Sequence, residues 1–136
     1  MGLTVLDAGV VIALLDASDA HHVAAVASVG NARDRGDPLL LPASAYAECL
    51  VAPHRRGQDA VSVVDRFLDA LPVRVEPADR SIAGAAAALR ATYGTSIRLP
   101  DALVIATAIV RGADRILTTD AGWPTVAVRV EVLATN

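Results

Sequence analysis

The sequence contains no lysine: its 12 cationic side chains are all arginine, set against 15 acidic ones. That absence excludes several chemistries at once. A Walker-type phosphate loop depends on a lysine, as does a Schiff-base enzyme, and a phospho-receiver domain needs one too. With 28 Ala and 18 Val beside those arginines, the missing lysine itself fits the codon bias of a GC-rich genome. Cys49 is the single cysteine, so no internal disulfide forms and a reducing compartment is expected. Aromatics are reduced to Tyr46, Phe67, Tyr93 and Trp123. A stacking platform of the sort single-strand binders use needs several exposed rings and is not expected here. The longest strictly apolar run, Val10 to Leu15, falls far short of a membrane span. The first cation is Arg33, so the opening residues lack the basic segment of a secretory signal. A soluble, cytoplasmic protein with no membrane contact is the expectation.

What is present is apolar and regularly punctuated. Of 136 residues 54% are hydrophobic, and a chain of this length is expected to make one domain, residues 1–136, that buries roughly two-thirds of its unfolded surface. Leu3 to Leu6 is β-prone and ends at Asp7, and the Leu/Ala-rich stretch Gly9 to Leu15 follows as a helix. Ser18 or Asp19 can cap a second helix running through His21 and His22 to about Asn31. Asp37-Pro38 precedes the buried-strand candidate Leu39 to Leu41. Pro42 ends that strand, and Ala43 to Val51 reads as a helix, with a turn at Pro53 and Gly57. Gln58 to Leu71 carries apolar residues at helical spacing up to Pro72, and Val73 to Val75 alternates as a strand does. Asp79 can cap an Ala-rich helix, Ser81 to Tyr93, closed by Gly94. Pro100 suits a first helical turn, and Asp101 to Val110 is apolar nearly all round, the mark of a central helix. Arg115 to Thr118 is a strand leading to Asp120, and Val126 to Val132 alternates like an edge strand. The order β-α-α-β-α-α-β-α-α-β-β predicts an α/β fold, a central parallel sheet flanked by helices on both faces.

Acidic residues normally lie on solvated faces, so those set in apolar sequence are informative. Asp7 ends the first strand, Glu48 sits within Ala45-Tyr-Ala-Glu-Cys-Leu-Val51, Asp101 opens the central helix, and Asp120 follows Ile116-Leu-Thr-Thr119. In a parallel α/β sheet, functional groups gather beyond the carboxyl ends of the strands, the place of Asp7 and Asp120. Glu48 and Asp101 fall on helices after other connections, so all four are expected at one sheet edge. Two unit negative charges ~5 Å apart at an effective dielectric of 20 repel by about 3 kcal/mol, and a divalent cation relieves that repulsion. Hard oxygen ligands without Cys or His select Mg²⁺ or Mn²⁺ over Zn²⁺. Carboxylate-held magnesium serves phosphodiester hydrolysis, so the four acids are expected to be both metal-binding and catalytic residues of a nuclease.

The strings Val5-Leu-Asp-Ala-Gly-Val-Val-Ile-Ala-Leu-Leu15, Ala45-Tyr-Ala-Glu48, Leu99-Pro-Asp-Ala-Leu-Val-Ile-Ala-Thr-Ala108 and Leu117-Thr-Thr-Asp120 resemble the acidic motifs of PIN-domain ribonucleases. In particular they resemble the VapC-type toxins of type II toxin–antitoxin (VapBC) systems, over essentially the whole chain. The third motif, preceded by an Ala-rich helix ending Leu89-Arg90 and Tyr93-Gly94, is the most specific. The resemblance implies a PIN-like fold, with Asp7, Glu48, Asp101 and Asp120 as a metal-binding quartet. It also implies Mg²⁺-dependent endonucleolytic cleavage of RNA, a homodimer, and neutralisation by a cognate VapB-type antitoxin. One position departs from the pattern: many members carry Ser or Thr two residues after the first Asp, where this chain has Gly9. A hydroxyl that could assist the metal site is missing there, and Thr118 or Thr119 could supply one. A catalytically weak PIN-like scaffold acting through partner binding is the alternative that Gly9 leaves open. An aspartyl-phosphate phosphatase of the haloacid dehalogenase kind needs a second Asp at that same position, and a lysine, and has neither.

Arg98, three residues before Asp101, is expected at the acidic mouth, where a guanidinium can grip a phosphate in bidentate fashion. With Thr118 and Thr119 it completes the expected substrate contacts, and Arg55 and Arg56 are the other cations placed near RNA. Asp16, Asp19 and Asp79 read as turn or cap residues, and His21 and His22 as surface positions. Cys49 and His54 do not make a thiol nucleophile, since Cys49 lies on the apolar side of its helix and Pro53 interrupts the pair. The net charge of −3 argues at first against a nucleic-acid partner, but setting the four proposed ligands aside turns it to +1.

Overall fold

The structure, a computed structural model, describes residues 2–136. Strand β1 (Thr4–Leu6) leads into α1 (Ala8–Leu15) and α2 (His22–Asp34), and β2 (Leu39–Pro42) into α3 (Ala43–Arg56) and α4 (Gln58–Ala70). Strand β3 (Arg74–Glu76) leads into α5 (Arg80–Tyr93) and α6 (Leu99–Val110), and β4 (Arg115–Thr118) and β5 (Arg129–Val132) follow. The five strands are all parallel, in the order β3-β2-β1-β4-β5. Successive residues of a strand point to opposite faces, and Val5, Leu6, Ile116 and Leu117 are each no more than 1% exposed, so helices cover the sheet on both faces. This is the α/β architecture that the alternation of elements predicts.

Strand order decides where a site can form. The chain steps from β1 outward to β2 and β3, then returns to the other side of β1 for β4 and β5. Connections therefore leave β1 and β4 in opposite directions, which opens a crevice beyond their carboxyl ends. The register pairs Leu6 with Leu117. Asp7 and the segment Thr118 to Asp120 consequently emerge side by side.

With so few aromatics the core is aliphatic. Helix α6 buries Ala102, Val104, Ile105, Ala106, Thr107 and Ala108, and α5, which buries Ile82 and Ala86, packs along it. Each fully buried Val or Ile contributes ~1.5–3 kcal/mol by leaving water. Arg111, just past α6, ties this helix pair to the sheet: its Nε donates to Glu76 Oε1 at 2.9 Å and its Nη2 to Asp79 Oδ2 at 2.8 Å. Glu76 is buried at the end of β3, and a buried carboxylate is tolerated when it is paired. Asp79 caps α5 by accepting the Ile82 N–H at 2.9 Å.

Among the boundaries that differ from the sequence expectation, three have a visible cause. Helix α3 continues past Val51, through Pro53, to Arg56. Pro53 lacks an N–H, yet it stands near the helix end, and its buried ring lines a recess with Ala60 and Val64 of α4. Helix α2 starts at His22 and not at a Ser18 or Asp19 cap, because Asp16 accepts the Ser18 N–H and Asp19 the His21 N–H, building turns ahead of the helix. His22 Nδ1 meets the Ala13 carbonyl at 2.6 Å, tying α2 to α1. Strand β5 is shorter than the alternation suggests: β4 begins at Arg115, which pairs with Arg129, so Val126 to Val128 have no strand to pair with. No helix among the described residues is long and apolar enough to cross a membrane.

Candidate active site

Asp7 is the first residue past β1 and the N-cap of α1, and it is 8% exposed. Its Oδ1 accepts the Ala8 N–H at 2.8 Å, and its Oδ2 accepts the Thr118 hydroxyl, also at 2.8 Å. The same hydroxyl oxygen accepts the Asp120 N–H at 3.1 Å. Thr118 thus links the carboxylate after β1 to the backbone after β4. It is fully buried, so this residue, expected among the substrate contacts, supports the site from behind. Thr118→Val is expected to lower stability by about 1–3 kcal/mol in a urea titration, since Asp7 loses a donor while remaining buried.

The four acids are linked electrostatically, Glu48 to Asp7 and Asp101, and Asp120 to Asp7 and Asp101. Burial raises the Asp7 carboxyl above the ordinary carboxylate range; hydrogen bonds from Thr118 and Ala8 oppose the rise, and the charge of Asp120 adds to it. Glu48, on α3, is raised by restricted hydration and then by the charges of Asp7 and Asp101, against the pull of Arg98. Asp101, in the first turn of α6, is raised by burial and by Asp7 and Asp120, opposed by Arg98 and the Trp123 indole. Like charges disfavour ionisation of their neighbours, so Asp7, Glu48, Asp101 and Asp120 form one electrostatic neighbourhood. Asp120 Oδ1 accepts the Gly122 N–H at 2.7 Å, which turns the chain after β4.

Arg98 is the N-cap residue of α6, with its side chain 81% exposed and its Nε 3.9 Å from Asp101 Oδ2. Arg56 lines a recess beside Glu48, whereas Arg55 is an exposed residue in the last turn of α3. Trp123 was not singled out by the sequence reading. Its buried indole N–H has no hydrogen-bond partner, and it approaches the Asp101 carboxylate closely enough to favour the charged form while falling short of a hydrogen bond. Its place just after Asp120, in Gly122-Trp-Pro124, is the one signal that could have found it.

Gly9 has a steric reason. A Cβ built there would overlap Thr119 Oγ1 and stand 3.3 Å from Thr119 Cβ, so the Thr119 hydroxyl occupies the space that a side chain at position 9 would fill. Gly9→Ala is expected to destabilise by about 1–3 kcal/mol through this overpacking. Shortening Thr119 to Ala in the same chain should restore that loss, and denaturation of the single and double variants checks it.

The PIN domain family profile matches residues 4–129. The chain belongs to the PIN-domain family. Solved structures share its fold at low sequence identity. A chain of VapBC2 from Rickettsia felis, bound to DNA from its promoter, superposes with a TM-score of 0.79 over 96% of this chain and 98% of that one, at 12% identity. VapC20 of Mycobacterium tuberculosis, a sarcin–ricin-loop-cleaving toxin, gives 0.65 over 83% and 86%, at 20% identity. A toxin–antitoxin complex from Klebsiella pneumoniae gives 0.62 over 90% and 96%, at 21% identity. No curated protein is matched in sequence.

In this PIN domain the capacity for metal is a question of donor chemistry. Among the described residues no three acidic, histidine or cysteine side chains stand close enough together to enclose a cation, so the cluster is not a prebuilt cage. It fits a hydrated, hard cation instead. All four groups are oxygen donors, and Mg²⁺ characteristically keeps several waters while taking one or two carboxylates together with substrate phosphates. Arg98, the cation that eases both Glu48 and Asp101, is itself mostly in solvent. The repulsion within the cluster is therefore only weakly offset by the chain's own cations.

Proposed function

We propose that this PIN domain is a metal-dependent endoribonuclease of VapC type, a cytoplasmic toxin that hydrolyses RNA phosphodiester bonds and is neutralised by an antitoxin. The observation that carries this reading is the placing of Asp7 and Asp120 side by side past β1 and β4, with Glu48 and Asp101 near enough to feel their charge and Asp7, Glu48 and Asp101 raised above their ordinary range. One or two of Asp7, Glu48, Asp101 and Asp120 would hold a hydrated Mg²⁺, with Mn²⁺ as a substitute and the remaining acids adding negative charge around it, and the ion when bound would supply a polarised water and charge neutralisation at the scissile phosphate.

The chain's own groups do the positioning. Thr118 and the Ala8 N–H hold Asp7 in one orientation, and the Gly122 N–H holds Asp120. Arg98, on a mostly solvated side chain, is free to turn its planar guanidinium onto a phosphate through two parallel hydrogen bonds. Thr119 brings a hydroxyl next to Gly9 at the start of α1, which weighs against the reading as an inactive scaffold.

The solved relatives support RNA as substrate and an antitoxin as partner, since one cleaves the sarcin–ricin loop and another is a toxin–antitoxin complex. A recess of about 560 Å³ between α1, α3 and α4 borders Glu48 and includes Ile12, Leu15 and Val63, which are 36–50% exposed, with Arg56 among its lining residues. An antitoxin segment laid there covers apolar surface and closes access to Glu48. A homodimer belongs to the same reading.

Purified chain is expected to cut single-stranded RNA with Mg²⁺ or Mn²⁺, to stop on addition of EDTA, and to stop when coexpressed with the product of its neighbouring gene. Cleavage that survives EDTA would remove the metal from the mechanism. A folded chain that leaves total cellular RNA intact with either metal would sink the assignment.

A further inference from the structure

The segment between β4 and β5 leaves the sheet after Thr118 and, from Trp123 to Val128, forms neither helix nor strand. With β5 it encloses a recess of about 450 Å³, within the size range of sites for small ligands. Asp120 is one of its lining residues, so the recess borders one of the four acids, while Trp123, Pro124, Val126 and Val130 supply apolar wall and Arg129 a cation. The Arg129 side chain is 69% exposed and pairs with Glu131 at 3.1 Å, a surface ion pair of little strength that a phosphate can displace. Two tethers keep the wall in place: the Tyr93 hydroxyl donates to the Thr125 carbonyl at 3.1 Å, and the Gly122 N–H donates to Asp120 Oδ1. Because the Trp123 indole N–H is buried, what the ring offers the recess is hydrocarbon.

We propose that this recess is a nucleobase subsite: it takes one unpaired base of the RNA strand whose phosphate lies at the four carboxylates, with Trp123 as the stacking surface and Arg129 toward a flanking phosphate. The proposal rests on the nuclease reading of the acidic site and adds how the strand is held there. Stacking on a single ring serves one base, which is why a chain with four aromatics can grip a strand locally without being a general single-strand platform. The backbone groups of Val126 and Ala127, outside any strand ladder, are available to base edges. Only an unpaired base can enter, because a base inside a duplex has both faces and its pairing edge engaged.

Trp123 is the only tryptophan, so intrinsic fluorescence reports on this site alone. The Asp101→Asn chain in Mg²⁺ is titrated with a dye-labelled single-stranded oligoribonucleotide, and with the same oligonucleotide made abasic at the nucleotides flanking the binding centre. Binding is followed by anisotropy and by tryptophan emission. The intact strand is expected to quench emission saturably and to bind about tenfold or more tightly than the abasic one. Trp123→Leu should erase that difference, and Trp123→Phe should keep most of it. Equal affinity for both strands, or tight binding with unchanged emission, overturns the subsite. RNA cleavage by the unsubstituted chain is measured alongside: cleavage without base discrimination removes the subsite and leaves the nuclease reading standing, whereas neither binding nor cleavage removes both.

Discussion

Replacing Asp101 by Asn is expected to reduce RNA cleavage by a hundredfold or more while leaving the folded chain as stable as before, or more so. The size of the activity loss follows from position: even groups that merely support metal ligands cost roughly 10–100-fold when removed, and Asp101 stands within the charged cluster itself. The sign of the stability change follows from its surroundings. Burial, then the charges of Asp7 and Asp120, disfavour its ionised form in the folded state. A neutral amide of the same shape escapes that penalty. The opposing effect, loss of a negative charge in the first turn of α6, is worth only about 0.3–1 kcal/mol. Cleavage kinetics and a thermal melt on the same preparation separate the outcomes. Full activity in the variant would dismiss the acidic cluster as the catalytic site, and a large drop in melting temperature would make Asp101 a structural residue.

The metal-free chain is expected to lose stability as pH rises out of the ordinary carboxylate range through the raised values of Asp7, Glu48 and Asp101, a contribution opposite in sign to that of paired carboxylates. Asp7, Glu48 and Asp101 are all raised above their ordinary values of 3.8, 4.5 and 3.8. Between the ordinary value and the raised one the folded state binds more protons than the unfolded state, so stability falls as pH rises through that window. Asp37 and Asp79 behave oppositely. The Gly2 N–H lowers Asp37 and Arg111 lowers Asp79, so their contributions fail only as pH drops below about 3.8 and leave the higher window undisturbed. Saturating Mg²⁺ should raise the melting temperature most at pH 8, where the cluster is ionised and proton competition is least. A ligand at a hundredfold excess over its Kd stabilises by about 2.7 kcal/mol. No metal-induced shift at millimolar Mg²⁺, or a metal-free chain whose melting temperature climbs with pH across the window of the raised values, would mean that the acids do not act as one cluster.

Much of this was legible in the chain. The alternation of short aliphatic runs with helical ones gave the order of elements, because burial on both sheet faces and helix periodicity are local patterns that a single segment displays. Asp7, Glu48, Asp101 and Asp120 stood out because a carboxylate among Leu, Val and Ile needs a compensating reason. Boundaries fared less well where a tertiary partner overrides local preference. Pro53 stays helical near the end of α3, its ring buried at a recess that Ala60 and Val64 of α4 also line, and Val126 to Val128 leave the sheet because β4 starts too late to pair with them.

Residue type and spacing along the chain therefore sufficed for the fold class, which rests on hydrophobic pattern, and the resemblance of four acidic motifs pointed to the family, while the four acids stood out as candidates by chemistry that one side chain carries alone. Contacts between distant segments were out of reach. Thr118 looked like a substrate contact until the parallel pairing of β1 with β4 set its hydroxyl against Asp7, 111 residues away. Gly9 looked like a missing hydroxyl until that same pairing laid Thr119 across it. Trp123 was one of four scattered aromatics until the path after β4 brought its N–H toward Asp101 and its ring to the wall of a recess. Each of these depends on which strands become neighbours, a choice made by packing the whole core at once and carried by no single stretch of the chain.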